Sequence, residues 1–400
     1  MSSLENLVVL DLSRVLAGPF CTQLLSDLGA TVWKLESPWG GDDTRSWGPP
    51  FLDGESGYYL SLNRGKKSIA INIKDPRGQE LVRGLANKAD VLIENFKAGD
   101  LARYGLNYES LSKLNPRLIY ASITGFGQTG PRASEPGYDA ALQGATGIMS
   151  VTGEPEGPPI KVGVAWIDLL GGLTTAIGIL AALHERERSN LGQHIDLSLF
   201  DVGLMSMLNQ AQSYLLTGIP PHRLGTAHPQ IVPYQAFEAE DGWFILAVGN
   251  DEQYRRMTEC IAHPEFWDDV RFRTNTGRVQ CREELVPKLA QIFRTRKRDV
   301  WLELLKGSGI PTSLVYDVAE AFQDPQAKDR KMVWEIVHPS LGKLPVVANA
   351  LQHMSRTPAL PQAHPPLLGE HTQEVLEQTL KLSGSELNGL IHDKVILIKR

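Results

Sequence analysis

The sequence has few cysteines and no cluster of residues typical of a metal site. Cys21, Cys260 and Cys281 lie far apart among 400 residues and form no Cys-x-x-Cys motif or Cys/His set at zinc-ligand spacing. An odd number of widely spaced cysteines is typical of reduced thiols. The sequence therefore predicts a cytoplasmic protein with no disulfide framework and no metal site.

A positive charge balance and long hydrophobic runs are also missing. Forty Lys and Arg against 46 Asp and Glu give a formal net charge of -6, which disfavours a nucleic-acid partner because phosphate-binding proteins usually carry a basic face. The longest apolar stretch, residues 169–183, is interrupted by glycines and is shorter than the roughly twenty residues that a membrane span needs. The N-terminus has no basic region of the secretory type. We expect neither nucleic acid nor a membrane as a partner.

Three common nucleotide and nucleophile motifs are incomplete or absent. Residues 125–130 match G-x-G-x-x-G after a predicted strand, but prolines rather than a helix follow, so dinucleotide binding is disfavoured. Residues 65–68 resemble the end of a P-loop, but Leu60 stands where the leading glycine belongs. The G-x-S-x-G elbow does not occur.

What the first half does contain is a regular alternation of strand and helix patterns. Apolar runs predict strands at residues 7–12, 31–36, 68–73, 91–94 and 117–124. Asp75 and Pro76 form a cap and first-turn pair that predicts a helix over residues 75–87. This alternation is typical of the α/β class, with an open, doubly wound and mostly parallel sheet.

The second half has a different pattern. Long helices are predicted over residues 169–188 and 199–216, and a Pro/Gly-rich hinge follows at residues 217–222. Beyond it, Asp241-Gly242 predicts the turn of a hairpin. We expect a large α/β domain at residues 1–222, a smaller α+β domain at 223–325, and a return segment at 326–400 that completes the large domain.

Asp168 is the most informative single residue. It stands among apolar and small residues of segment 162–172, at a predicted junction between a loop and a helix. Aspartate is a preferred helix N-cap, and a carboxylate in an apolar niche beside glycines can equally be a covalent nucleophile. The residue pattern alone leaves both interpretations open.

The segment around Asp168, together with several other stretches of the sequence, resembles the class III CoA-transferases. This family includes formyl-CoA transferase, carnitine CoA-transferases and 2-methylacyl-CoA racemases. The matching stretches occur in order through nearly the whole chain, at residues 9–19, 29–36, 63–68, 91–96, 123–127, 162–172 and 366–371. The resemblance implies a Rossmann-like large domain, a smaller domain and two subunits interlocked as rings in a homodimer.

The resemblance also assigns roles to individual residues. It makes Asp168 the nucleophile, which would pass through an aspartyl anhydride and an aspartyl-CoA thioester. It implies a CoA thioester as substrate and no permanently bound cofactor. Gly249 and the amides near Asp168 become candidate donors to the tetrahedral oxyanion. The implied CoA contacts are Ala17, Asn72, Ile73, Lys74, Asn95, Phe96, Lys97, Arg103, Gly137, Tyr138 and Asp139.

Departures from the family pattern bear on the reaction. The family's racemases have Gly-His-Asp, whereas this chain has Gly137-Tyr138-Asp139. Tyrosine is a poor base at neutral pH, so transfer is favoured over epimerisation. Leu16 replaces the glutamine of formyl-CoA transferase, which disfavours oxalate as the acceptor. A 2-methylacyl-CoA racemase, a carnitine- or formyl-CoA-type transferase and a non-catalytic acyl-CoA-binding protein stay open as alternatives.

Residues 225–237 and 249–253 are similar to the succinyl-CoA:dicarboxylate branch of the family. The resemblance implies succinyl-CoA as donor and a small dicarboxylic acid such as glutarate or itaconate as acceptor. A second carboxylate on the acceptor would need a cation or a hydrogen-bond donor. Our candidates for that contact are Arg45, Tyr138 and His228.

Overall fold

The computed structural model describes residues 2–399, which form two compact units. The first comprises residues up to 148, 162–212 and those from 328 onward, and the second comprises 149–161 and 213–327. Segment 149–161, expected in the large domain, thus belongs to the second unit. Arg223 explains this placement, because its guanidinium donates to the carbonyl oxygens of Glu154, Pro155 and Gly157.

Six parallel strands form most of the sheet in the first unit, in the order β5-β2-β1-β6-β7-β8. Because β1 lies between β2 and β6, the strand order reverses there, and such a reversal opens a crevice at the carboxyl ends of the strands. The strands of this region are β1 (Val8–Asp11), β2 (Thr31–Glu36), β3 (Phe51–Leu52), β4 (Glu55–Ser56), β5 (Lys66–Ile71), β6 (Val91–Glu94), β7 (Ile119–Thr124) and β8 (His194–Ser198); β3 and β4 form a separate short ribbon.

Helices cover both faces of the sheet. On β1, Leu10 packs in a core with the apolar residues of α3, whereas its neighbour Val9 packs in a second core with those of α1 and α7. This alternation is what a doubly wound sheet requires. The helices are α1 (Ala17–Asp27), α2 (Gly57–Leu62), α3 (Pro76–Ala86), α4 (Tyr108–Leu114), α5 (Asp139–Ala145), α6 (Ile148–Val151), α7 (Trp166–Ser189), α8 (Leu199–Ser206) and α9 (Leu208–Thr217).

The second unit is built on an antiparallel sheet of order β11-β10-β9, with an aromatic core that includes Phe237, Phe244, Phe293 and Trp301. The predicted hairpin is confirmed, but Gly242 begins its second strand instead of lying in the turn. The elements here are β9 (Tyr234–Ala239), β10 (Gly242–Ala247), α10 (Asp251–Cys260), α11 (Glu265–Asp268), α12 (Asn275–Gln280), α13 (Arg282–Phe293), α14 (Arg298–Gly307), β11 (Thr312–Leu314), α15 (Val318–Gln323) and α16 (Pro325–Asp329).

The chain then returns to the first unit. Its last strand pairs antiparallel with β5, so that Ile396 lies opposite Ile71, and this completes a seven-stranded sheet. The mixed α/β class with a mostly parallel sheet is therefore confirmed. The remaining elements are the hairpin β12 (Val333–His338) and β13 (Gly342–Val347), followed by α17 (Thr372–Leu380), α18 (Gly384–His392) and β14 (Ile396–Leu397).

Two helical predictions need comment. The single helix expected over residues 199–216 is wrong, because Leu208 has a φ of 40° and the chain breaks there into α8 and α9. Helix α7 begins at Trp166, three residues before the predicted start. By length and composition α7 could cross a membrane, with a mean hydropathy of 1.7 over a window that is 39% buried. The absence of a membrane partner stays a prediction.

Candidate active site

Asp168 is the third residue of α7, in the first turn of the helix. The N-cap position belongs to Ala165, which makes no side-chain capping bond, so the N-cap interpretation of Asp168 is wrong. The N-terminal N–H groups are satisfied from another element instead. Asp139 Oδ1, on α5, accepts hydrogen bonds from the backbone N–H of Ile167 at 2.8 Å and of Asp168 at 3.3 Å.

The surroundings of Asp168 favour its neutral form. Burial is the main cause and the nearby negative charge of Asp139 adds to it, and together they raise the pKa of Asp168 to about 7. The N-terminus of α7 acts in the opposite direction, because helix N-termini stabilise negative charge. At neutral pH a substantial fraction of the carboxyl is ionised, as a nucleophile requires.

Glycines bring the neighbouring segments close to Asp168. A Cβ on Gly172 would lie 2.6 Å from the carbonyl oxygen of Ala17, so only glycine allows α7 to approach α1 this closely. In the loops that follow β7, a Cβ on Gly125 would lie 2.6 Å from Cα of Gly137. Ala17, Gly125 and Gly137 border the space into which the Asp168 carboxyl projects.

That space is a cavity of about 290 Å³. Asp168 lines it together with more than half of the residues that the resemblance assigned to CoA. Those residues are Ala17, Asn95, Phe96, Lys97, Gly137 and Tyr138.

A second cavity, of about 430 Å³, contains four of the five remaining predicted CoA residues. The two cavities have Arg14, Asp43, Phe96 and Asp100 in common. The first unit therefore brings together every predicted CoA contact except Asp139, whose carboxylate turns to the start of α7. The predicted residues in the second cavity are Asn72, Ile73, Lys74, Phe96 and Arg103.

The loop after β1 lies between these cavities in a strained conformation. Val15 has a φ of 71°, which is rare for a β-branched residue. Asn95 stabilises the loop by accepting from the N–H of Arg14 at 2.9 Å and donating to its carbonyl oxygen at 2.7 Å. Asp42 accepts the N–H of Val15 at 3.3 Å. The Asn95 side chain thus fixes the backbone of this loop, a structural role that the sequence did not indicate.

Arg45 does not line either cavity. Its guanidinium makes two hydrogen bonds of 2.8 Å to the Glu36 carboxylate, and it also donates to the hydroxyl of Tyr59 and the carbonyl oxygen of Pro366. These bonds hold the guanidinium of Arg45 inside the first unit, where all of these partners lie. The expectation that Arg45 holds a substrate carboxylate is therefore corrected.

Tyr138, His228 and Gly249 have different surroundings. The Tyr138 side chain is 69% exposed and lines the first cavity. His228 lies in the second unit, where burial and the charge of Arg282 lower its pKa, and its Nδ1 accepts from the N–H of Gln230. Also in the second unit, the N–H of Gly249 donates to Gln253 Oε1 at 2.7 Å, so an oxyanion would have to displace that side chain.

Sequence reasoning missed two further features. Arg14 pairs with Asp43 at 2.9 Å on the wall that both cavities share, and Arg14 lies within the matching stretch 9–19. Gln143 donates to Asp139 at 2.6 Å, and the spacing of four residues on one helix could have indicated that contact. Within residues 2–399, no group of three His, Cys, Asp or Glu side chains is arranged to hold a metal ion.

Comparison with known proteins agrees with this geometry. The model of CoA-transferase family III matches residues 4–372. The chain is 43% identical to a mouse succinyl-CoA:glutarate CoA-transferase over 99% of this chain and 91% of that protein. It is 45% identical to a succinate–glutarate CoA-transferase from Agrobacterium fabrum over 94% of this chain and 95% of that protein. These matches confirm the resemblance.

A solved structure has the same fold. The crystal structure of a CAIB/BAIF family protein from Brucella suis superposes with a TM-score of 0.83 at 44% identity, covering 94% of this chain and 99% of the other.

Proposed function

The chain belongs to CoA-transferase family III, and from that premise we propose that it moves CoA from succinyl-CoA to a small dicarboxylate, with Asp168 as the nucleophile. The observation that carries the proposal is the position of Asp168: the first turn of α7 presents its carboxyl in the same cavity as Lys97, Phe96 and Tyr138. The relatives named for succinate and glutarate supply the substrate class.

The first half-reaction transfers CoA to the enzyme. An Asp168 oxygen attacks the thioester carbonyl carbon, the C–S bond breaks, and CoA leaves as a thiolate, which gives a mixed anhydride of Asp168 and succinate. The thiolate then attacks the Asp168 carbonyl carbon of the anhydride, and succinate leaves. The result is an aspartyl-CoA thioester, formed without net uptake or release of a proton.

The second half-reaction repeats these steps with the acceptor. A carboxylate oxygen of the acceptor attacks the aspartyl thioester and expels the CoA thiolate. The thiolate then attacks the acceptor side of the new anhydride, which frees the Asp168 carboxylate. Because each step exchanges one activated acyl bond for another, the enzyme only has to exclude water and hold the thiolate nearby.

The two adjoining cavities suit an extended thioester. Lys74 and Arg103 border the second cavity as exposed cations and would bind the CoA phosphates. Phe96 borders both cavities, so the pantetheine arm would pass it on the way to Asp168. For the distal carboxylate of the acceptor, Tyr138 is the candidate of the first unit, and His228 stays a sequence-based prediction.

We also propose a homodimer located in the cytoplasm. Large apolar side chains are exposed on the helices after Asp168, among them Ile177 at 67% and Leu208 at 72%. Exposed apolar surface of this kind is typical of protein interfaces. All three cysteines are free thiols, which fits a reducing compartment. Sedimentation tests the assembly, and a fully active monomer would contradict it.

The covalent intermediate is the direct test of the reaction. The protein is incubated with succinyl-CoA and treated with hydroxylamine, and peptides are analysed by mass spectrometry. We expect hydroxamate on the peptide that contains Asp168, and none with Asp168→Asn. Transferase activity retained by Asp168→Asn would refute the nucleophile. Deuterium exchange at the α-carbon in heavy water, without CoA transfer, would indicate a racemase instead.

A further inference from the structure

We infer that Asp139 and Gln143 are positioning residues for the Asp168 carboxyl and that Asp139 does not contact CoA. The inference rests on the proposed role of Asp168. Oδ1 of Asp139 accepts the backbone N–H groups of Ile167 and Asp168, and its Oδ2 accepts Gln143 Nε2. Both carboxylate oxygens are thus committed within the protein, and Asp139 lines neither cavity.

Gln143 fixes the orientation of Asp139. Its side chain is fully buried, and its Oε1 accepts the backbone N–H of Val162 at 2.8 Å. Reversing the amide would place NH₂ against that N–H, so only one orientation satisfies both neighbours. A chain of hydrogen bonds therefore runs from Val162 through Gln143 and Asp139 to the first turn of α7.

The same arrangement places a negative charge beside the nucleophile. Burial and this charge raise the pKa of Asp168, and a carboxylate whose pKa is near the working pH is a stronger nucleophile than one with an ordinary value. Tyr58 of α2 also interacts with Asp168. The other charged or titratable groups around the first cavity are Arg14, Asp43, Lys97, Asp100, Glu135 and Tyr138.

The decisive measurement does not require activity. The difference in melting temperature between Asp168→Asn and its parent is followed from pH 4 to 9, first with the wild-type sequence as parent and then with Asp139→Asn. An ionisable Asp168 makes this difference grow as pH rises above the unfolded-state pKa, and the pH at which the difference levels off reports the pKa of Asp168 in the folded protein. We expect Asp139→Asn to lower that levelling-off pH by about one unit. A levelling-off pH that stays the same would contradict the electrostatic effect of Asp139.

Kinetics test the positioning part. Gln143→Ala leaves Asp139 in place but unsupported, and we expect kcat to fall roughly tenfold with the KM for the CoA thioester unchanged. Asp201→Asn is the matched control, because Asp201 is an exposed first-turn acid of α8. If Asp139→Asn raised the KM for the CoA thioester and left kcat unchanged, Asp139 would be a CoA contact, as the family resemblance implies. If the wild-type protein transfers no CoA, the proposed function fails, while the stability measurement still tests the inference.

Discussion

Lys34 and Asp42 form an ion pair of 2.8 Å in which both side chains are fully buried. Burial opposes the charge of Lys34, but Asp42 and Asp11 outweigh it and raise the pKa of the ammonium. Asp42 also accepts the N–H of Val15, so the pair connects β2 to the strained loop beside the cavities. The conformation of that loop therefore depends on a charge pair inside the sheet.

Replacing Lys34 tests this pair. Lys34→Met leaves Asp42 buried without its partner, and we expect a loss of about 3–5 kcal/mol in the free energy of unfolding, measured by urea denaturation. Lys67→Met is the control, since Lys67 pairs with Glu374 at a half-exposed site and its loss should cost less than about 1 kcal/mol. Equal midpoints for the two variants would contradict the prediction.

The rate of transfer should depend on the ionisation of Asp168. Because only the carboxylate attacks a thioester, and because the pKa of Asp168 is raised to about 7, kcat/KM should rise with pH and level off above that value. Initial rates between pH 5.5 and 9 measure the midpoint. A profile that is flat across this range would mean that Asp168 ionises at its ordinary, lower pKa.

Asp168→Asn should make the fold more stable at alkaline pH. The pKa of Asp168 is higher in the folded state, at about 7, than the unperturbed value of 3.8, so the native state loses stability as pH rises between these values. The amide has no such loss. We expect a higher melting temperature for the variant at pH 8 and equal values below pH 4. If the variant were less stable than wild type at pH 8, the pKa of Asp168 could not be raised in the folded state.

The cations of the second cavity should affect binding and not chemistry. For Lys74→Ala and for Arg103→Ala we expect the KM for succinyl-CoA to rise about tenfold with kcat nearly unchanged, since each loses a charge-assisted contact to phosphate. Added salt should raise the wild-type KM as well. Lys88→Ala, at an exposed lysine outside both cavities, serves as the control and should behave like wild type.

Arg45 should matter for stability alone. Arg45→Lys cannot reproduce the paired bonds to Glu36, so the melting temperature should fall while the KM for the dicarboxylate acceptor keeps its wild-type value. Thermal denaturation and acceptor titration measure both effects. A large increase in that KM would show that Arg45 reaches the substrate after all.

Local patterns predicted the secondary structure well where neighbouring residues determine it. The bounds of β2 and β6 agree with the prediction to the residue, because the apolar pattern of a strand is a short-range signal. The break between α8 and α9 could not be predicted, because Leu208 takes a positive φ without any glycine or proline to mark it.

The sequence predicted many of the residues that line the two cavities, but it did not predict how the candidate residues are hydrogen-bonded. Arg45 was a candidate because the second carboxylate of the acceptor needs a cation or a donor, yet its partners include Pro366, 321 positions away in the chain. Asp139 carried a CoA role from the family resemblance, but the carboxylate turns to the backbone of Ile167. Contacts between distant segments decide both outcomes, and a single sequence contains no local signal for them.

The pairing of β14 with β5 also bears on how the protein is made. The backbone of Ala70 and Ile71 has no strand partner on one side until residues 396 and 397 have been translated. During that interval the nascent chain presents an open sheet edge, which can pair with another polypeptide. Chains truncated before residue 396 would therefore keep this open edge and be prone to aggregation, because the sheet is completed only after its other six strands have been translated.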